Sequence, residues 1–286
     1  MQYFWSLEQS AQMNRCGAFL LASGRYDEAL TKFVDAFQTV EAIRNTMETA
    51  LVGKGTPNNH SSFSVATNKE VPPAFLEERQ KLFSMPCCSS QMATQPQQDT
   101  MFDESADDGC FVFEKVLCYK AESLPQKIES SYSSSTYFQV YQPTLNLLLA
   151  ASTFNMALSY HLSSRSCAES SSYSAQQVAN KLYNAVIESL SGNGCWYTLD
   201  TANLNMDEAC LLAVALNNKA IICYETAEYS QCEASRALLV LVLNALLSSK
   251  STKAAQSSIY CLNNHEIVRC YRNGLLLETP TTAQAA

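Results

Sequence analysis

The side chains of this 286-residue chain best suited to metal ligation, nucleophilic attack or proton transfer are its 3 histidines and 12 cysteines. His60, His161 and His265 lie far apart in the chain, and no Cys-x-x-Cys pair accompanies them, so the ligand spacing of a zinc finger is missing. Cys16, Cys210, Cys223 and Cys232 fall inside apolar helical patterns and read as reduced thiols that pack as small hydrophobes. Cys87-Cys88 has no basic neighbour to lower a thiol pKa and reads as an inert pair. His161 follows Tyr160 in a helical pattern. With no paired carboxylate or nucleophile it has no defined acid–base task, and a partly buried histidine is the plainer reading. No phosphate-cradling glycine loop and no G-x-S-x-G, H-E-x-x-H, H-R-D or D-x-D-x-D-G string occurs. The sequence predicts no catalytic residue, no metal, no cofactor and no enzyme activity.

Composition narrows the class further. A hydrophobic fraction of 47% allows a sizeable core, and only 8 Gly and 8 Pro suit helices better than a turn-rich sandwich or barrel. The net charge of −8, with no Lys/Arg-rich run, disfavours nucleic-acid binding. The longest apolar run, Ala237 to Leu247, contains Asn244 and is too short for a membrane span of about 20 residues, so it reads as a buried core helix. Met1 to Leu7 is aromatic and lacks the basic start of a secretory signal. The expectation is a cytoplasmic or nuclear protein with no membrane or nucleic-acid partner.

The elements follow from periodicity. Residues 1–50 read as a helix pair: Phe4, Leu7, Ala11, Met13, Cys16, Ala18, Leu20 and Leu21 run near helical period. Ser23-Gly24-Arg25 interrupts them, and Ala29, Phe33, Ala36, Phe37, Val40 and Ile43 form a second stripe. Residues 51–142 read as a low-complexity insertion with short strand segments. Its part from 53 to 109 is rich in Pro, Ser, Asn and Gln and is expected to be mostly disordered, with one short helix at Ala74 to Phe83 and an acidic run from Asp99 to Asp108 that reads as solvated. Cys110 to Tyr119 is dominated by aromatic and β-branched residues and predicts a strand, and Thr136 to Tyr141 a weaker one.

Residues 143–250 read as two further helix pairs. Pro143 suits a first helical position. Ser163 to Ser172 reads as a polar break before a helix starting near Ser174. Asn205 to Glu208 carries the signature of a capped helix start. Residues 251–286 read as a helical piece near Ala254 to Leu262, a strand at Ile267 to Leu277 and a frayed tail.

Within residues 10–43, Gly17 lies in the first helix, Gly24 and Tyr26 in the turn, and Ala29, Phe33 and Ala36 on the second helix at spacings of four and three. The string G-R-Y-D-E-A-L-T-K-F-V-D-A-F resembles the tetratricopeptide repeat, a helical hairpin of about 34 residues. Asn155-Met156-Ala157 with Tyr160, and Asn218-Lys219-Ala220 with Cys223 and Tyr229, are weaker copies, and Arg236 falls where an apolar packing residue is usual. N-M-A-L-S-Y-H-L, A-L-N-N-K-A and the T-P-T-T-A-Q-A-A ending are also similar to helical-repeat proteins numerous in diatoms, a resemblance that implies no activity. The tetratricopeptide resemblance implies a mainly α protein, an α-α superhelix of about three helix pairs interrupted by the long insertion and a small β element. Gly17, Gly24, Tyr26, Ala29, Phe33, Ala36, Ala157 and Ala220 would be its structural positions.

In such a stack the first helices line a concave groove. Groove-facing positions are then Asn14, Ala18 and Leu21, then Phe154, Leu158 and His161, then Asn217, Ile221 and Tyr224. Asparagine can bracket the backbone of an extended peptide with one donor and one acceptor, and aromatic rings add contact area. The expected function is a protein-interaction scaffold binding a peptide or helix of another protein. A second reading is a regulator that senses a ligand or peptide in an apolar pocket between helices.

Overall fold

A computed structural model describes residues 2–52, 112–118, 134–166, 169–191, 204–253, 262 and 264–276. These form seven helices, α1 (Gln2–Ala22), α2 (Tyr26–Val52), α3 (Ser134–Ser166), α4 (Glu169–Ser191), α5 (Met206–Glu225), α6 (Tyr229–Lys253) and α7 (Asn264–Leu276), and one extended stretch, 112–118. Each helix packs against its chain neighbours, α2 against α3 across the insertion, and α5 also touches α3 and α7.

The first pair shows why these residues make a hairpin. Gly17 leaves room for the Phe33 ring: a Cβ at Gly17 would sit 2.5 Å from Phe33 Cε1. Ser10 Oγ donates to the Ala36 carbonyl at 2.9 Å, pinning the crossing, and Ala29, Phe33, Ala36, Phe37, Val40 and Ile43 are all buried. The α1–α2 turn closes with Arg25 N donating to Leu20 O (2.9 Å) and Gly24 N to Leu21 O (3.0 Å), with Gly24 at φ 71. That is a Schellman closure, which needs one residue in the left-handed region. The α5–α6 turn repeats it. Glu228 N donates to Cys223 O at 2.7 Å and Ala227 takes φ 60, with Tyr229 next as Tyr26 is next in the first turn. The two turns are the same backbone object built on different residues.

Capping at Asn205–Glu208 is as the sequence predicts: Asn205 Oδ1 accepts from Glu208 N at 2.8 Å and Glu208 Oε2 from Asn205 N at 3.1 Å. The α5 helix that follows is buried almost all round, from Ala209 to Cys223, because four other helices cover it. In α6, Leu238, Leu239, Val242, Leu243 and Leu246 are buried, but Leu241 and Leu247 are exposed, so the run Ala237 to Leu247 is an amphipathic helix with one buried face rather than the fully buried core helix expected. The stretch Tyr229–Ser248 is the one helix among the described residues long and apolar enough to cross a membrane by length and composition, with mean hydropathy 1.2.

Several expectations are corrected. Among the described residues there is no strand. Residues 112–118, expected within a strand, form none, and asparagine side chains take the backbone hydrogen bonds of Phe113 and Leu117. Thr136 to Tyr141 is helical, within α3, and Pro143 lies inside that helix rather than at its start. Ile267 to Leu276 is helical too. Ile267, Cys270 and Gly274 are buried at spacings of three and four, while Val268 and Leu275 stay exposed. Packing on α6, where a Cβ at Gly274 would meet Val240 at 2.9 Å, overrides the local apolar run.

Serine does not break α3 either. Ser164 Oγ bonds to the His161 carbonyl at 2.7 Å and Ser166 Oγ to the Leu162 carbonyl at 3.2 Å, so the hydroxyls are satisfied within the helix. The next helix starts at Glu169 rather than near Ser174. Arg236, at the position expected to pack, instead donates to the Gly274 and Leu275 carbonyls at 3.1 and 3.0 Å and so satisfies the C-terminal end of α7. The short helix at Ala74 to Phe83, Cys87-Cys88, the acidic run Asp99 to Asp108 and most of Ala254 to Leu262 lie outside the described residues.

Gly17→Val should lower stability by about 1–3 kcal/mol through overpacking against Phe33. Urea or thermal unfolding checks this, and an unchanged midpoint would disprove the tight crossing.

Candidate functional site

Four alternate helices each bring an asparagine to one buried polar line: Asn14 on α1, Asn155 on α3, Asn217 and Asn218 on α5, and Asn273 on α7. Residues 112–118 run along that line. Asn155 Oδ1 accepts from Leu117 N at 2.9 Å while its Nδ2 donates to Leu117 O at 3.0 Å. Asn218 does the same to Phe113, accepting from its N at 2.8 Å and donating to its O at 2.9 Å. Four residues apart on an extended chain, these two backbone units face the same edge. Each asparagine therefore does for one residue what a neighbouring strand would do.

A supporting layer orients the brackets. Asn14 Nδ2 donates to Leu117 O at 2.7 Å and its Oδ1 accepts from Asn155 Nδ2 at 2.9 Å. Asn217 Nδ2 donates to Asn218 Oδ1 at 3.0 Å, and Asn217 Oδ1 accepts from Asn273 at 2.8 Å. Asn218 Nδ2 also donates to the Tyr183 hydroxyl at 3.2 Å, which lies 3.5 Å from His161 Nδ1. Burial holds the Tyr183 hydroxyl far above its usual range and pushes the His161 pKa down, so both are neutral at neutral pH. His161 Nε2 faces Glu225 at 3.8 Å, and Arg165 binds the other Glu225 oxygen at 2.7 Å. Burial alone would raise the Glu225 carboxyl, but His161 and Arg165 outweigh it and hold it below the usual range.

Val112, Phe113 and Leu117 of the segment are buried, while Glu114 and Lys115 are exposed. Val112 joins a cluster with Ala220, Ile221, Cys223, Cys232 and Leu162. The Phe113 ring sits 6.3 Å from Phe154, which in turn packs 5.6 Å from Tyr183. Leu117 is buried in the main core, while Glu114 and Lys115 point outward. Lys115 reaches the buried carboxylate of Glu266 on α7 at 2.5 Å. Next to this line, Lys219 is 2% exposed, and burial lowers its pKa to about 8 against the raising influence of Cys223, Glu188 and Glu228.

The residues predicted to line a groove thus separate into groups. Asn14, Phe154 and Ile221 sit against the segment. Asn217 and His161 stand one layer behind it. Leu21 and Leu158 are core, Ala18 is half-buried, and Tyr224 is at the surface with its ring 6.2 Å from Tyr229. Sequence reasoning missed the two brackets themselves, Asn155 and Asn218. Their signal was present as an asparagine two residues before the small residues Ala157 and Ala220. Where an open groove was expected, residues 112–118 lie against the asparagines.

Six cysteines among the described residues are thiols outside any disulfide, with Cys210, Cys223, Cys232 and Cys270 buried and burial pushing Cys223 and Cys270 up to about 12. No group of three His, Cys, Asp or Glu among the described residues could hold a metal ion. No protein-family model, curated protein or solved structure matches this chain.

Asn218→Ala should destabilise more than Asn155→Ala, since Leu117 O keeps its bond from Asn14 whereas Phe113 loses both partners. Each backbone group left dry and unpaired costs about 1–3 kcal/mol, and equilibrium unfolding of the two variants ranks them. Lys219 gives a pH test. Its folded pKa of about 8 lies below its ordinary 10.5, so the unfolded chain binds more protons between those values and charged Lys219 opposes folding below pH 8. Lys219→Met is expected to raise stability at pH 7 by on the order of 2 kcal/mol. That advantage should shrink as pH rises from 8 towards 10.5, and a pH-independent difference would refute it.

Proposed function

We propose that this chain is a non-catalytic protein-interaction scaffold whose groove holds an extended peptide segment of a partner protein. The observation that carries the reading is the pair of asparagine brackets on Phe113 and Leu117, which grip backbone rather than side chain. Backbone contacts of this kind give affinity for any extended peptide, and side-chain pockets add selectivity. A groove built this way has a use beyond packing its own chain.

The helical pairs are read as a tetratricopeptide-like stack. Three features support this: the Gly17–Phe33 crossing, the two Schellman turns at Gly24 and Ala227, and the contacts that link α3, α5 and α7 in series. In such stacks alternate helices line the concave face, and the asparagines stand on alternate helices. The net charge of −8 favours a peptide partner over a nucleic acid.

Display of random extended peptides on a full chain carrying Phe113→Ser and Leu117→Ser is the direct test. Peptides should be enriched, and adding Asn155→Ala and Asn218→Ala should abolish their binding. Binding that ignores both asparagines would remove the groove from the account.

A further inference from the structure

The chain places in its own groove a segment that uses every recognition element the groove has. Both brackets are engaged, the Val112 and Phe113 pockets are filled, Leu117 is buried, and Glu266 is paired with Lys115. We infer that residues 112–118 are an internal copy of the partner's motif: the groove recognises an extended segment with an aliphatic and an aromatic residue in succession, a basic residue two further on and an aliphatic residue two after that. The inference rests on the peptide-groove reading above and adds the sequence that the partner must present.

Three observations define the motif. Val112 enters a pocket of Ala220, Ile221, Cys223, Cys232 and Leu162, which suits a short aliphatic side chain. Phe113 meets Phe154 ring to ring at 6.3 Å, a contact that favours an aromatic. Buried Glu266 stands opposite Lys115, and a carboxylate that deep favours a cation across from it. Glu114 is exposed, so its position carries no preference. The brackets themselves are blind to sequence and can be exchanged between chains without changing their geometry. A footprint of seven residues, with selectivity at four of them, is that of a short linear segment of another protein.

A tethered copy competes with the partner. The apparent affinity in trans then falls by the fraction of chains whose groove is vacant. Weakening the internal segment should therefore strengthen binding of an added peptide, whereas damage to a purely structural segment would only weaken it.

The probe is a fluorescein-labelled synthetic peptide of residues 110–120 with both cysteines replaced by serine, titrated by anisotropy into full-length chains. Affinity should rise from wild type through Leu117→Ala to the Phe113→Ser, Leu117→Ser double variant, by about tenfold or more overall. It should be lost when Asn155→Ala and Asn218→Ala are added, and when the peptide carries serine in place of Phe113 and Leu117. If the double variant does not fold, Leu117→Ala decides. A Leu117→Ala chain that melts cooperatively yet binds the peptide no tighter than wild type overturns the inference and makes the segment permanent core. A wild-type dimer by light scattering, dissolved by the same peptide, would overturn it in favour of a second copy as occupant. Displayed peptides that need Asn155 and Asn218 but lack the motif would sink the inference and leave the groove standing. If no peptide of any sequence binds, both fall.

Discussion

A backbone N–H or C=O taken out of water must find a partner, and among the described residues the stretch 112–118 has no neighbouring strand to supply one. The helices around it have spent their own backbone groups internally. Only side chains remain, and the amide of asparagine is short, planar and carries one donor and one acceptor side by side. That requirement explains why α1, α3, α5 and α7 all turn an asparagine inward, and why so polar a line runs through so dry an interior. Every amide atom of Asn155 and Asn218 has a partner. A half-satisfied line would be worse than an apolar one.

The line can exist only because the helices approach closely and in register. At Gly17 against Phe33 and Gly274 against Val240 no Cβ would fit without a shift, and small residues there let neighbouring helices nest. Asn155 with Ala157 and Asn218 with Ala220 join the two demands: the small residue lets the helix pack, and the asparagine two residues earlier is carried round to the segment. Packing and polar recognition are thus set by the same short strings.

Charge around the segment is handled by burial. Tyr183 and His161 stay neutral, with Asn218 donating to the Tyr183 hydroxyl beside His161, while Glu225 is held charged chiefly by Arg165 on one oxygen with the His161 ring facing the other. Lys219, almost fully buried beside the line, is a strained guest held by surrounding acids rather than a source of stability. The fold therefore tolerates one costly cation next to its most ordered polar network.

Much of the helical frame was legible from the chain alone, because its signals are local. The stripe on α2, the Gly24 turn and the Asn205–Glu208 cap each depend on residues within a turn or two of one another; Ala237 to Leu247 is helical as expected but buries one face only, with Leu241 and Leu247 exposed. The strands expected at Thr136 to Tyr141 and Ile267 to Leu277 failed because short apolar runs are ambiguous, and contact with other helices resolves them. The asparagine line was half legible: Asn14 and Asn217 were expected at the groove, and the pairing of Asn with a following small residue stood in the sequence. What lies against the asparagines was not legible. Phe113 and Asn218 are over a hundred residues apart, and nothing in their spacing says that one will grip the other. Local residue order determined which segments coil and where they cap. Only the tertiary structure decided that the stretch 112–118 would take backbone hydrogen bonds from asparagines on three distant helices, since a side-chain bracket forms only when helices remote in sequence meet.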